Sequence, residues 1–269
     1  DAPHRKGPFL MTKTNYHTHT TRCMHASGAD EDYVRAAISA GFTALGFSDH
    51  GAIPFDGGYI SSMRMRMDEL DGYLGSVRSL AEKYKNEITI RCGMEYEYFP
   101  EFLPHCRELL DSKRLDYIIF GNHYDLDERT GRYFGRCTRP EHVKRYADSA
   151  VAGLKTGLFT CIAHPDLFMN SYPVFDETAR AASRDICACA KDLNIPLEYN
   201  LLGLDKQAAG VPGLGYPYTG FWEIAALQGC TAIIGVDAHK PDDLTDQRFD
   251  QACDTLDSLG IRRISMLDV

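Results

Sequence analysis

Seven of the ten histidines in this 269-residue chain sit at the ends of short apolar runs or just beyond them: His17, His19, His25, His50, His123, His164 and His239. Two acids, Glu95 and Asp237, fall in the same kind of position. His17 and His19 are two apart, so in an extended strand both imidazoles point to one side and can reach one ion. Asp237 and His239 repeat that geometry with a carboxylate and an imidazole. Carboxylates beside neutral imidazoles suit Zn²⁺, Fe²⁺ or Mn²⁺ better than Mg²⁺ or Ca²⁺, which want nearly all-oxygen shells. Nine such donors are too many for one ion that must keep a position for water, so the spacing predicts two or three ions. A single strand-end histidine is more often a hydrogen-bonded surface or core residue than a ligand; the weight lies in the combination. His4, in the terminal segment, and His105 and His142, in helical stretches, are set aside.

Elements that would position these residues alternate along the chain. Strand-like runs are read at 14–19, 43–50, 88–98, 116–124, 159–165, 195–200 and 231–239, with a further one at 261–267. Helical patterns are read at 30–41, about 61–85, 100–112 (starting late because of Pro104), 140–156, 176–193, 220–229 and 244–259. Apolar runs of this length separated by helices are the signature of parallel strands joined by crossovers. A doubly wound sheet would gather polar residues at one switch point. Here almost every strand ends in a histidine or an acid, which favours a barrel, whose strand ends converge on one cup. The Gly/Pro-rich segment 203–220 reads as a long βα loop. The methionines of 63–70 (MRMRMDEL) read as packing residues in a charged helical stretch.

Composition bounds the alternatives. The chain is 44% hydrophobic and 25% charged, enough for one large core and no sign of disorder. No run is apolar and long enough to span a membrane. Acids outnumber bases 38 to 29, giving a formal charge of -9, and no Lys/Arg block is present, which argues against nucleic acid as a partner. Nine scattered cysteines read as buried thiols in a reducing, cytoplasmic setting rather than as disulfides. Residues 1–10 read as a tail left by expression or processing, and 11–269 as a single barrel domain of self-sufficient size, which leaves the oligomeric state open.

The ordered set HTH (17–19), His25, SDH (48–50), GMEYEY (93–98), GNHY (121–124), AHPD (163–166) and GVDAH (235–239) resembles the polymerase and histidinol phosphatase (PHP) family. Within that family it is most similar to the histidinol-phosphate phosphatase branch. The resemblance covers Tyr16 to Leu267 and implies an α/β fold, a distorted TIM-like (β/α)7 barrel, with three divalent transition-metal ions. It places His17, His19, Glu95 and Asp237 on the first ion. Glu95 bridges to a second, completed by His123 and His164. His25, His50 and His239 hold the third.

The activity so implied is hydrolysis of a small phosphomonoester, L-histidinol phosphate, in histidine biosynthesis. A water or hydroxide bridging two ions would attack phosphorus in line. Asp49 would orient an imidazole from behind. Arginine favours bidentate phosphate contacts; Arg22, between two ligands, and Arg132 are the choices for the clamp, ahead of Arg129 and Arg136. After the sixth strand, related phosphatases tend to have Asn-Thr followed by a basic residue. Asn200 and Lys206 remain here as substrate-binding candidates, but Leu201 and Asp205 depart from the pattern, which bears on the leaving group more than on the chemistry. Two alternatives stay open: another small phosphomonoester as substrate, or a non-catalytic metal-binding module.

Overall fold

The computed structural model describes residues 12–269 apart from residue 246; the expected tail at 1–10, with His4, lies outside the described residues. Eight parallel strands form one ladder in chain order. The first half of the chain runs β1 (Thr14–Asn15), α1 (Asp30–Ser39), β2 (Ala44–Phe47), α2 (Leu70–Lys83), β3 (Thr89–Tyr96), α3 (Leu103–Asp111), β4 (Tyr117–Gly121) and α4 (Pro140–Leu154). The second half runs β5 (Cys161–Ala163), α5 (Glu177–Asp192), β6 (Leu197–Asn200), α6 (Leu201–Ala209), α7 (Thr219–Leu227), β7 (Thr231–Gly235), α8 (Arg248–Ser258) and β8 (Arg262–Arg263).

Local chemistry accounts for the boundaries. Three acids occupy the first turn of α1, where the helix dipole favours them. Pro140 opens α4 at a position that needs no N–H donor. The Asp176 carboxylate accepts the Ala179 N–H at 3.0 Å to cap α5. Strands β2, β4 and β6 are buried at every residue, as expected of a sheet covered on both faces. Alternation along β4 sends Ile118 and Phe120 toward the helices. It sends Tyr117 and Ile119 inward, where they pack with Tyr16, Cys161, Ala163, Ile233 and Leu267. That inner cluster is the floor of the cup. The Tyr117 hydroxyl fastens it, with its one proton within reach of the carbonyls of both Tyr16 (2.8 Å) and Phe47 (3.0 Å).

The sheet curls as the strand-end pattern predicts, and its distortion has a visible cause. At the C-terminal end the extension of β1 meets that of β7: the His19 N–H donates to Ala238 O (2.9 Å) and the Ala238 N–H to His17 O (3.2 Å). At the opposite end β8 pairs with the start of β7, and the Thr14 hydroxyl bonds the Ser265 carbonyl. Seven strands thus reach the top, while the eighth wedges in below.

Two sequence expectations are corrected. The helix expected from about 61 begins only at Leu70, after a 3-10 turn at Met67–Glu69. Residues 51–66 cross the top of the barrel without helix, because Arg64 is drawn inward to buried carboxylates, with Met65 buried and Met63 facing the cup. Nor is 203–220 all loop: Asn200 Oδ1 accepts the Gly203 N–H (2.9 Å), capping α6 directly off β6.

Candidate metal centre

All nine predicted donors come together at the C-terminal ends of the strands. His17 and His19 follow β1, His50 follows β2, Glu95 lies near the end of β3, and His123 and His164 follow β4 and β5. Asp237 and His239 follow β7, and His25 comes in from the loop after β1. Eight of the nine line a cavity of about 750 Å³ that opens at the top of the barrel. The ninth, His17, lies beneath it with 1% of its surface exposed.

The arrangement sorts into sets. Asp237 Oδ1 stands 3.4 Å from His17 Nε2 and 3.1 Å from His19 Nε2, and those two ring nitrogens are 3.1 Å apart. Glu95 faces two ways: Oε1 is 3.1 Å from His164 Nε2 and 3.5 Å from His123 Nε2, whereas Oε2 is 3.1 Å from His50 Nδ1 and 3.5 Å from His17 Nε2. His25, His50 and His239 form another close trio. An added Cβ at Gly121 would overlap Glu95 Oε1, so the bare backbone there is what lets this carboxylate sit between two sets.

Behind the ring nitrogens stands an outer layer. His17 Nδ1 meets Glu198 Oε1 at 2.7 Å, and His123 Nδ1 meets Glu97 Oε1 at 3.0 Å. His25 Nδ1 and His239 Nδ1 meet the carbonyls of Cys23 (2.7 Å) and Asp237 (2.9 Å). Each contact assigns the Nδ1 proton and leaves Nε2 with its lone pair toward the cluster. Asp49 lies behind His19: Oδ1 is 3.4 Å from His19 Nδ1, and Oδ2 accepts from the Thr20 hydroxyl. Glu97 and Glu198 were missed in the sequence. The signal for Glu97 was its two-residue spacing from Glu95 on one strand, and for Glu198 its two-residue spacing from Asn200.

Charge follows burial. Burial opposes ionisation of Glu95 and Asp237, but the surrounding imidazoles hold both carboxyls well below their usual range. Burial likewise opposes charge on His17, yet the carboxylates of Asp237, Glu198 and Glu95 raise it well above the ordinary imidazole value. His19 is raised in the same way. His50 is pushed down chiefly by burial, and His239 to about 3 by burial and the neighbouring His19. His164 and Asp237 also adopt left-handed backbone, φ 33° and 55°, without being glycine. Such strain, of order 1–3 kcal/mol, collects at functional sites.

The substrate-side expectations fare differently. Lys206 lines the cavity, with Nζ 3.3 Å from the Tyr216 hydroxyl. Arg22 and Arg132 do not line it. Arg22 is turned away onto Asp30 (3.0 Å) and over the Tyr73 ring, and Arg132 is exposed on the loop after β4. Arg129 is held by Asp127 and Asp56. Arg136, passed over in the sequence, is the arginine that lines the cavity, with no carboxylate paired to it among the described residues. Asn200 is fully buried and not a lining residue: its Nδ2 donates to Glu198 Oε2 (2.8 Å) and Asp237 Oδ2 (3.1 Å).

A curled parallel barrel that carries a polynuclear cradle of imidazoles and carboxylates in its cup defines a class of metal-site barrels. The model of the PHP domain family matches residues 15–201, and the chain belongs to that family. It is 27% identical over 264 residues to the "probable histidinol-phosphatase" of Deinococcus radiodurans, covering 93% of this chain and 94% of that one. It is 26% identical over 262 residues to the histidinol-phosphatase of Bacillus subtilis, covering 87% and 96%. The solved structure of histidinol phosphate phosphatase from Lactococcus lactis, complexed with zinc, L-histidinol and phosphate, superposes with a TM-score of 0.70. That match is at 18% identity and covers 94% of this chain and 96% of the other. Among the described residues no helix is long and apolar enough to cross a membrane.

Proposed function

We propose that this chain is a metal-dependent phosphomonoesterase that converts L-histidinol phosphate and water to L-histidinol and phosphate. The observation that carries the reading is the cluster of unpaired donors. Glu95 Oε2, Asp237 Oδ1 and His50 Nδ1 are buried without hydrogen-bond partners, and all face the same space. Lone pairs this crowded and this dry call for a cation between them. Imidazoles and carboxylates fit Zn²⁺, Fe²⁺ or Mn²⁺.

Three ions fit the sets: one on His17, His19, Glu95 and Asp237, a second on Glu95, His123 and His164, and a third on His25, His50 and His239. The two-way orientation of Glu95, with Oε1 toward His164 and Oε2 toward His17, supports its serving both the first and the second set. Bound there, the ions would supply Lewis acidity for activating water near neutral pH and for offsetting charge on phosphoryl oxygens. The protein's own groups do the rest. Glu97, Glu198 and Asp49 hold His123, His17 and His19 in register. The Arg136 guanidinium and the Lys206 ammonium receive the phosphate oxygens from the open side.

The activities after which relatives are named, over alignments that span most of the chain, support the substrate. All nine cysteines are unpaired thiols, seven of them buried, which supports a reducing compartment and hence the cytoplasm. We read the described residues as one barrel domain. Phosphate release from L-histidinol phosphate, compared across a panel of phosphomonoesters with Zn²⁺ or Mn²⁺ supplied, tests the assignment. A clear preference for L-histidinol phosphate is expected. Equal turnover of a generic ester would refute the substrate, and no release from any ester with metal bound would refute the enzyme.

A further inference from the structure

The segment read in the sequence as a methionine-rich helix has a different task. Arg64, in its middle, is fully buried: 1% of the side chain is exposed. Its NH1 and NH2 donate to the two oxygens of Glu97 at 3.1 and 3.0 Å, a bidentate pair. Its Nε donates to Glu128 Oε2 at 2.6 Å, and NH1 reaches the Gly51 carbonyl at 3.2 Å. Glu97 in turn takes His123 Nδ1 at 3.0 Å. One guanidinium therefore touches three parts of the molecule: the segment just past β3, the strand that carries Glu95; the loop after β2; and the loop after β4 in which Glu128 lies.

Those two loops make one side of the cavity. Ser62 and Met63 line it from the first, and Tyr124, Gly131 and Tyr133 from the second. The Tyr124 hydroxyl lies 3.3 Å from Met63 Sδ, so the wall is continuous. Within this wall Arg64 is a buried cation tying the loops together. A lysine there would offer a point charge in place of a planar fork and could not serve Glu97 and Glu128 with the same geometry.

We propose that Arg64 is a positioning residue with two outputs: through Glu97 it fixes the orientation of the His123 imidazole, and through Glu128 it fixes the cavity wall that meets the organic part of the substrate. The proposal rests on the phosphatase reading for its second output only. Removal of the first loosens a ligand; removal of the second loosens the fit of the leaving group.

The two are separable by Glu128→Ala and Arg64→Lys, each checked for folding by its thermal midpoint and circular dichroism. Zn²⁺ retention is read by elemental analysis after dialysis against graded chelator. KM and kcat are read on L-histidinol phosphate and on p-nitrophenyl phosphate. Glu128→Ala should retain Zn²⁺ as the parent does and keep kcat within about twofold, while KM for L-histidinol phosphate rises about tenfold and KM for the small aryl ester hardly moves. Arg64→Lys should add a loss of about 10- to 100-fold in the retention of one ion, the usual cost of disturbing a partner behind a metal ligand. If Arg64→Lys destabilises the fold, Glu97→Gln tests the first output alone through the same Zn²⁺ readout. Parental retention in both Arg64→Lys and Glu97→Gln overturns the first output, and equal KM changes on both esters in Glu128→Ala overturn the second. Should the unaltered protein show no preference for L-histidinol phosphate, the substrate reading fails, while Zn²⁺ retention still decides the role of Arg64.

Discussion

Glu198→Gln isolates what the outer layer does for the metal centre. The Glu198 carboxylate is buried and accepts from three donors: His17 Nδ1 at 2.7 Å, the His164 N–H at 3.0 Å and Asn200 Nδ2 at 2.8 Å. Glutamine keeps the shape but must turn an NH₂ toward one side. Placed at Oε2 it would confront two donors. Placed at Oε1 it confronts only His17, whose ring can adapt by moving its proton from Nδ1 to Nε2. That second arrangement preserves the fold, but the proton then points at Asp237 and His19, where a metal lone pair is wanted. Disturbed partners behind a ligand lower metal affinity by about 10- to 100-fold, which is about 1.4–2.7 kcal/mol. Glu198→Ala would instead strand three buried donors at about 1–3 kcal/mol each, comparable with the whole stability of a domain, about 5–15 kcal/mol, so it would report on folding alone. The assay is Zn²⁺ affinity by chelator competition, with the thermal midpoint in EDTA as the folding control. A midpoint within a few degrees of the parent and one ion weakened by 10- to 100-fold are expected. A folded variant with parental affinity at every site would refute the argument that Glu198 sets the His17 tautomer.

Gly235→Ala should reproduce part of the Glu198→Gln effect from the backbone side, because a Cβ at Gly235 would overlap Glu198 Oε1; Zn²⁺ retention is again the readout. Arg136→Ala and Lys206→Ala should each raise KM for a phosphomonoester by about 10- to 100-fold, the worth of a hydrogen bond to a charged group of about 1.5–3 kcal/mol. Arg22→Ala and Arg132→Ala should leave KM within about twofold in the same steady-state assay. Stripping the metal should lower the thermal midpoint by about 5 °C or more per ion, since an ion at 100 times its dissociation constant adds about 2.7 kcal/mol and a chain of this size shifts about 2–4 °C per kcal/mol; differential scanning calorimetry checks this. Burial works against charge on Glu97, but Arg64 and then His123 hold its carboxyl at about 2, against 4.5 when unperturbed. A depressed folded value means that this stabilisation is present above pH 4.5 and is lost as pH falls toward 2. Urea titrations of the metal-free chain should therefore decline more steeply below pH 4.5 than those of Glu97→Gln.

The donors were legible in the sequence because parallel strands expose chemistry at a predictable place. A histidine or acid at the end of a buried strand has nowhere to go but the cup, and seven such strands make the cup common to all. Asp49, next to His50, was singled out for the same reason and lies 3.4 Å from His19 Nδ1. The partners that cross from loop to loop were not. Arg22 is adjacent to ligands in sequence, yet the 3-10 turn at Thr21–Cys23 swings it out to Asp30. Arg136 is thirteen residues past His123 and reaches the cavity only because the loop folds back, Tyr124 bridging to Tyr133. Helical spacing between 61 and 69 was misleading because periodicity does not register a buried ion pair: Arg64 finds two carboxylates inside, and the backbone bends at 62–64 without forming helix to deliver it. Asn200 was read as a contact for substrate, whereas its cap on α6 and its bonds to Glu198 and Asp237 consume its side chain.

Electrostatics joins these observations into one requirement. Five carboxylates, those of Asp49, Glu95, Glu97, Glu198 and Asp237, are buried in or directly behind the cup. The buried guanidinium beside them, Arg64, is already shared by Glu97 and Glu128. Burying that much negative charge unpaired would cost several kcal/mol per ion, so the fold needs positive charge at the centre. Without metal, His17 and His19 meet part of the need by holding protons, at the cost of turning ligand lone pairs into N–H groups. Divalent ions meet it better, because they pair with Glu95 and Asp237 and let the same imidazoles act as neutral donors. The overall charge of -9 therefore does not oppose an anionic substrate. On the proposed reading, the acids that contribute to it here would hold the cations, and a phosphate would meet those cations with Arg136 and Lys206 at the rim.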